Sequence, residues 1–196
     1  MAKKTSATKK TLNRDKIISA TLTLTESDGW ASLTMAGVAE KVSLTTHDVV
    51  REFPSKLGLL WGIMENIDRA VLIEQTVSGE HPRERLFDVL MARFDAIAPY
   101  KDAIKSIARA SSRDPLMSLL TLPRFMLSMS WMLEAAGISS AGLKGLLRTK
   151  GLAMVYLNTV RVWVRDETPD MSKTMAALDQ NLRQAERVAA LCNLSR

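Results

Sequence analysis

Residues 43 to 56 read SLTTHDVVREFPSK and gather hydrogen-bond donors into a short stretch. Thr45, Thr46, His47 and Arg51 are side chains of the kind that meet phosphate oxygens and base edges. Thr34 opens one neighbouring helix and Lys56 another, where the positive end of a helix dipole and an ammonium group together suit a phosphate. Asp48 and Glu52 run against that chemistry, one turn apart beside Arg51. Between residues 32 and 56 the bases Lys41, Arg51 and Lys56 are cancelled by Glu40, Asp48 and Glu52, so long-range attraction to a polyanion has to come from elsewhere.

The chain of 196 residues carries a net charge of +6, and almost all of the excess lies in residues 1–16, with Lys3, Lys4, Lys9, Lys10, Arg14 and Lys16 against Asp15. Residues 1–12 are expected to form a flexible basic arm. Lys9 and Lys10 are its candidate phosphate contacts, with an anionic membrane or plain solvation as the competing uses of such charge.

Other chemistries find little support. His47 and His81 are the histidines and Cys192 is the lone cysteine, with no Ser/His/Asp constellation and no glycine-rich phosphate loop. No catalytic residue, metal site or cofactor is expected. A single thiol forms no internal disulfide, which suits a reducing cytoplasm. The segment MAKKTSATKK lacks the apolar core of a secretory signal.

Apolar residues recur at three and four along most of the 196 residues, and 46% of the chain is hydrophobic, so an all-helical protein is expected. A first helix runs from Arg14, after the capping candidate Asn13, to the stop at Gly29, with Ile17, Ile18, Thr21, Leu22, Leu24 and Thr25 inward. Short helices follow at 34–41 and 45–53, the second opened by the capping-box pair Thr45 and Asp48. Ser55 caps a long helix over 56–77, and SGEHP at 78–82 punctuates the chain. Helices are expected at 82–98, 100–112, 115–136, 140–165 and 170–194. The domains read as the arm 1–12, a three-helix unit 13–55, and a helical C-terminal unit 56–196.

Pro115 to Leu133 is rich in Met and Leu with Arg124 as its charge. Pro123, Arg124 and several hydroxyl residues argue for a buried helix rather than a membrane span. Such Met-rich helices serve as plain core or as the wall of an adaptable apolar pocket. The candidate pocket residues are Phe94, Phe125, Met126, Met129, Met132 and Tyr156. In the final helix Met175, Leu178, Leu182 and Ala185 form one apolar seam, paired with Tyr156 and Trp163 of the helix before it. That pattern suits either closure of the chain's own bundle or a homodimer interface. Gly142, Gly145 and Gly151 suggest close backbone approach.

From residue 14 to about 70 the order of helices, SLTMAGVAEKV and the FPSK exit resemble the DNA-binding domain of the tetracycline-repressor (TetR) family. The family's line I-A-x-x-A-G-V-S-x-G-T-L-Y-x-H-F has the spacing of Val38 to Phe53 without a gap. Ser43 and His47 stand where that line has Gly. Val50 and Glu52 replace its Tyr and His, the habitual phosphate partners. RFDAIAPYKDAI, SWMLEAAGISSAG and the stretch from Gly151 to Glu186 resemble the lipid-binding accessory protein of ubiquinone biosynthesis, the ninth Coq protein. The first resemblance implies a TetR-like fold in which the unit 13–55 is a helix-turn-helix, and a homodimeric regulator of double-stranded DNA, responsive to a hydrophobic small molecule or lipid. The second implies a lipid-binding accessory or carrier protein whose helix-turn-helix no longer binds DNA. Neither reading requires stable membrane insertion.

Overall fold

A computed structural model describes residues 2–74 and 79–191, with side chains for residues 13–73 and 79–191. Its described elements are helical: α1 (Ala2–Asp28), α2 (Met35–Lys41), α3 (Thr46–Glu52), α4 (Lys56–Glu74), α5 (Pro82–Ile97), a single 3-10 turn at Ala98–Tyr100, α6 (Lys101–Arg113), α7 (Pro115–Ala135), α8 (Gly142–Trp163) and α9 (Ser172–Leu191).

The chain forms two compact units. The first holds residues 1–66 and 99–122. Its core sets Ile17, Ile18 and Leu22 of α1 with Val38 of α2, Val49 of α3 and Leu59 and Ile63 of α4, each no more than 3% exposed. Thr21 and Thr25 are buried with them because each hydroxyl donates to the carbonyl four residues back, at 2.7 Å, so no polar group is left wanting. Gly29 ends α1 at φ +84°, in the left-handed region that glycine enters without steric cost.

α1 begins at Ala2 rather than at Arg14, so Asn13 caps nothing and the expected arm is helical in its backbone from Ala2. The reason is local: alanine and lysine are good helix formers, and extending a nucleated helix needs no tertiary contact. The side chains of Lys9 and Lys10 lie outside the described residues. The first unit also takes in α6 and the start of α7, which the expected division at residue 55 assigns to the C-terminal domain. Ala103 and Ile107 of α6 are buried, and Ser106 Oγ accepts from Trp30 N at 2.9 Å. Amphipathic spacing says that α6 needs a partner; it does not say which one.

The second unit holds residues 67–98 and 123–196. Val89, Leu90 and Phe94 of α5, Met129 and Met132 of α7 and Leu178 of α9 are fully buried there, and Trp163 of α8 is 1% exposed. Burying side chains of this size contributes about 1.5–3 kcal/mol each. α7, expected to be a buried helix, is so only at its C-terminal end, with Met129, Met132 and Leu133 inside. Leu116 and Leu119 are each 64% exposed.

Asp166 fastens the α8–α9 connection. Burial by itself raises the pKa of its carboxyl, but the hydroxyls and amides of Thr168 and Thr174 all donate to it and together hold it well below the usual carboxylate range. A depressed folded pKa contributes stability that is complete above the unfolded value, near 4, and fades as pH falls toward the folded one. Asp166→Asn is expected to lose roughly 1.5–3 kcal/mol at pH 7. Urea titrations should show the gap to wild type narrowing as pH drops below about 4.

Candidate functional site

The short helix α3 is held at its N-terminal end by local chemistry. Thr45 Oγ1 accepts from Asp48 N at 3.2 Å, and the Asp48 carboxylate accepts from both the Thr45 hydroxyl and the Thr45 amide. The Thr45 hydroxyl in particular lowers the pKa of Asp48, and that charge sits favourably at the positive end of the helix. Asp48 therefore belongs to the cap and also pairs with Arg51 at 3.4 Å. Thr46, His47 and Arg51 are exposed on α3 beside Thr45. Thr34 is committed to capping α2, accepting from Gly37 N at 3.0 Å.

The turn between α2 and α3 places Ser43 at φ 55°, with Ser43 N donating to Glu40 O and Leu44 N to Ala39 O. The left-handed region is unfavourable for a residue with a Cβ, and glycine stands at the matching place of the TetR line. Ser43→Gly is expected to stabilise the protein by about 0.5–1 kcal/mol without moving α3. A higher midpoint in urea with an unchanged slope would show it, and a lower midpoint would refute it.

Glu52 is not on the face that His47 and Arg51 present. Its side chain is 9% exposed and lies 3.8 Å from Arg14 Nη1, which donates to the Glu52 carbonyl at 3.1 Å. The same guanidinium reaches Glu65 at 3.3 Å and covers the Phe53 ring at 4.4 Å. Arg14 thus ties the middle of α1 to the end of α3 and to α4. Nothing in the local sequence announces this pairing across 38 positions. Lys56 is likewise engaged: Nζ donates to Ala31 O at 3.0 Å and lies 5.2 Å from the centre of the Trp30 ring. Partial burial lowers the pKa of its ammonium. Val50, where the TetR line has Tyr, is 40% exposed. The free donors of this surface are accordingly Thr46, His47 and part of Arg51, a smaller set than Thr34, Thr45, Thr46, His47, Arg51 and Lys56 together.

In the second unit, the expected pocket residues come together as packed core. Phe94 stacks on Tyr156 at 5.3 Å between ring centres, and Phe125 meets Tyr156 at 6.0 Å. Phe94, Met129 and Met132 are fully buried, while Phe125 and Met126 are half-buried. An open groove of about 680 Å³ lies elsewhere in the unit, where Leu86, Leu133, Leu147, Met154, Leu182 and Val188 line it with Arg83, Arg85 and Arg148. None of Phe94, Phe125, Met126, Met129, Met132 and Tyr156 lines that groove.

Tyr156, Trp163, Leu178 and Leu182, expected to meet a second copy, are buried inside their own chain, and Met175 and Ala185 are half-buried. The unsatisfied apolar face of α8 is the opposite one, with Leu143 at 75%, Met154 at 58% and Leu157 at 44% exposure. Because α8 is apolar on two faces, its periodicity alone does not say which of them turns inward. Of the three glycines, Gly145 does make a close approach, since a Cβ there would collide with the Ser140 backbone. Gly142 has φ +68°, and Gly151 has open space around it.

Sequence reading missed a charged cluster inside this unit. Asp68 of α4 is 1% exposed. It accepts from Arg93 Nη1, from Arg124 Nη2 at 2.6 Å and from the Ser128 hydroxyl. Asp68 and Arg93 break the apolar pattern of α4 and α5, and that break was the available signal.

A capped three-helix motif, followed along the chain by one long helix and then by further helices, is the fold of the TetR-type transcriptional regulators. A solved TetR regulator from Nitrosomonas europaea shares it with a TM-score of 0.73 at 20% identity, covering 89% of this chain and 98% of that one. Another from a Rhodococcus species gives 0.65 at 20% identity, covering 94% and 98%. Among curated proteins, the HTH-type transcriptional regulator BetI of Paraburkholderia xenovorans is 34% identical over 89 residues, 43% of this chain and 46% of that protein. The HTH-type transcriptional repressor KstR of Rhodococcus jostii is 29% identical over 114 residues, 58% of this chain and 47% of its own length. The chain thus spans about half the length of the curated relatives it matches. Residues 125–189 match the COQ9 family model, so a COQ9-like region lies within the TetR-type fold.

Proposed function

We propose that the protein is a ligand-responsive transcriptional regulator, binding double-stranded DNA as a homodimer and not acting as an enzyme. The observation that carries this reading is the state of α3: its cap is complete, Glu52 is drawn off to Arg14, and Thr46, His47 and Arg51 are exposed together. The acid that argued against DNA binding in the sequence has a structural use that removes it from the donor face.

In a dimer, two such helices would enter successive major grooves about 34 Å apart. The apolar outer face of α8, with Met154 and Leu157, supports the pairing of two copies. α4 is continuous from Lys56 to Glu74 and belongs to both units, which supports it as the element that carries the response. By linkage, a hydrophobic ligand that releases DNA must bind the DNA-free geometry more tightly. This reading implies a cytoplasmic protein, with α7 as part of the fold and not as a membrane span.

A mobility shift with the DNA upstream of its gene, over a salt series, tests the reading. A specific complex is expected whose affinity falls with salt, and truncating His47 and Arg51 to alanine should weaken it by about 1–3 kcal/mol for each base that the side chain reads. The COQ9 match over residues 125–189 and the apolar groove favour a second reading, a lipid-binding accessory protein without DNA function. Absence of any specific complex at the lowest salt, with a lipid co-purifying in native mass spectrometry, would decide for it.

A further inference from the structure

Two guanidinium groups and one carboxylate meet inside the second unit. Arg93 is 4% exposed at its side chain, Arg124 is 13%, and Asp68 is 1%. Both Asp68 oxygens are occupied, yet the cluster remains short of negative charge by one. Arg93 Nε and Arg124 Nη1 are, among the described residues, the buried side-chain polar atoms without a hydrogen-bond partner. A buried guanidinium N–H without an acceptor is costly, and an uncompensated buried charge more so. An additional anionic acceptor would remedy both defects at once.

We propose that this cluster receives the carboxylate of an amphipathic ligand, whose apolar part lies against the half-buried neighbours Phe125 and Trp131. Arg93 Cζ is 5.3 Å from the centre of the Tyr156 ring, and Phe125, half-buried, adjoins that ring at 6.0 Å. Arg124 Cζ lies 4.8 Å from the centre of the Trp131 ring. Planar guanidinium groups match carboxylates through paired N–H donors, which a neutral alcohol of equal chain length does not reproduce. One excess positive charge selects a monoanion and disfavours a cation. The incoming carboxylate takes the open donors, Arg93 Nε and Arg124 Nη1, while Asp68 keeps Arg93 Nη1 and Arg124 Nη2. The inference deepens the ligand-responsive reading by naming the ligand's chemistry.

Titration of the full chain with decanoate and with 1-decanol, read by tryptophan fluorescence and by thermal midpoint, tests it. Wild type is expected to bind decanoate at least tenfold more tightly than decanol. Arg124→Met is expected to abolish that preference while decanol binding stays within twofold. Equal affinities of wild type for the two probes overturn the inference, whether or not the variant folds, as does a preference that survives in Arg124→Met. The unpaired N–H groups would then be served by water alone. Specific DNA binding without decanoate selectivity would sink this inference and spare the regulator reading. Selectivity without any DNA complex would do the reverse.

Discussion

Replacing Asp68 by alanine is expected to destabilise the protein by about 3–5 kcal/mol, because it strands Arg93 and Arg124 in a low-dielectric interior with no carboxylate between them. Coulomb attraction in such a place is strong, but the larger contribution to the loss is desolvation: three charges came out of water, and the remaining two now repel. The effect should differ in kind from that of an exposed pair such as Lys105–Asp102, whose removal falls within about 1 kcal/mol. A control separates charge from shape. Substituting all three members together with apolar residues of similar size should recover most of the lost stability, since buried ion clusters are often replaceable as a set. Urea unfolding of the single and triple variants measures both. A single variant within about 1 kcal/mol of wild type, or a triple variant no better than the single, would count against the described burial.

Gly62→Ala should produce the second large effect, by overfilling the joint between α1, α3 and α4. A Cβ at residue 62 would collide with the Phe53 ring and stand 2.8 Å from Ile18 Cδ1. Both neighbours are 3% exposed, and Phe53 is covered by Arg14 at 4.4 Å, so neither has room to yield. Alanine brings up to about 1 kcal/mol of helix propensity in its favour. Overpacking of about 1–3 kcal/mol opposes it and is expected to win, because the colliding groups are packed rather than flexible. The functional consequence is larger than the thermodynamic one. Phe53 ends α3, so its displacement tilts the helix that carries His47 and Arg51. On the proposed regulator reading, a variant that remains folded should bind DNA at least tenfold more weakly, as read by mobility shift. Full affinity in a folded Gly62→Ala protein would show that α3 does not depend on this joint.

The elements whose information is local were legible in the sequence. Thr45 and Asp48 specify the start of α3 by hydrogen bonds that span three residues, and Gly29 ends α1 by its own conformational freedom. The inward face of α1 follows from periodicity: Ile17, Ile18, Thr21, Leu22 and Thr25 are buried, and Leu24, expected with them, is half-buried. The TetR-like spacing from Val38 to Phe53 carried the fold class, because a helix-turn-helix constrains chain length between its apolar anchors more tightly than it constrains the exposed side chains.

What tertiary structure alone decided has a common physical origin: charges and apolar faces have no sequence-local partner. Glu52 reads as an intruder among the donors of α3 until Arg14, 38 residues away, draws it aside. Asp68 reads as one polar position among many until Arg93 and Arg124 meet it in the interior. The two apolar faces of α8 are equivalent to any periodic analysis, and packing buried Tyr156 and Trp163 while leaving Leu143 and Met154 outside. Helical spacing dictates that a face must be covered and that a buried charge must be answered. Only the folded chain supplies the neighbour that does so.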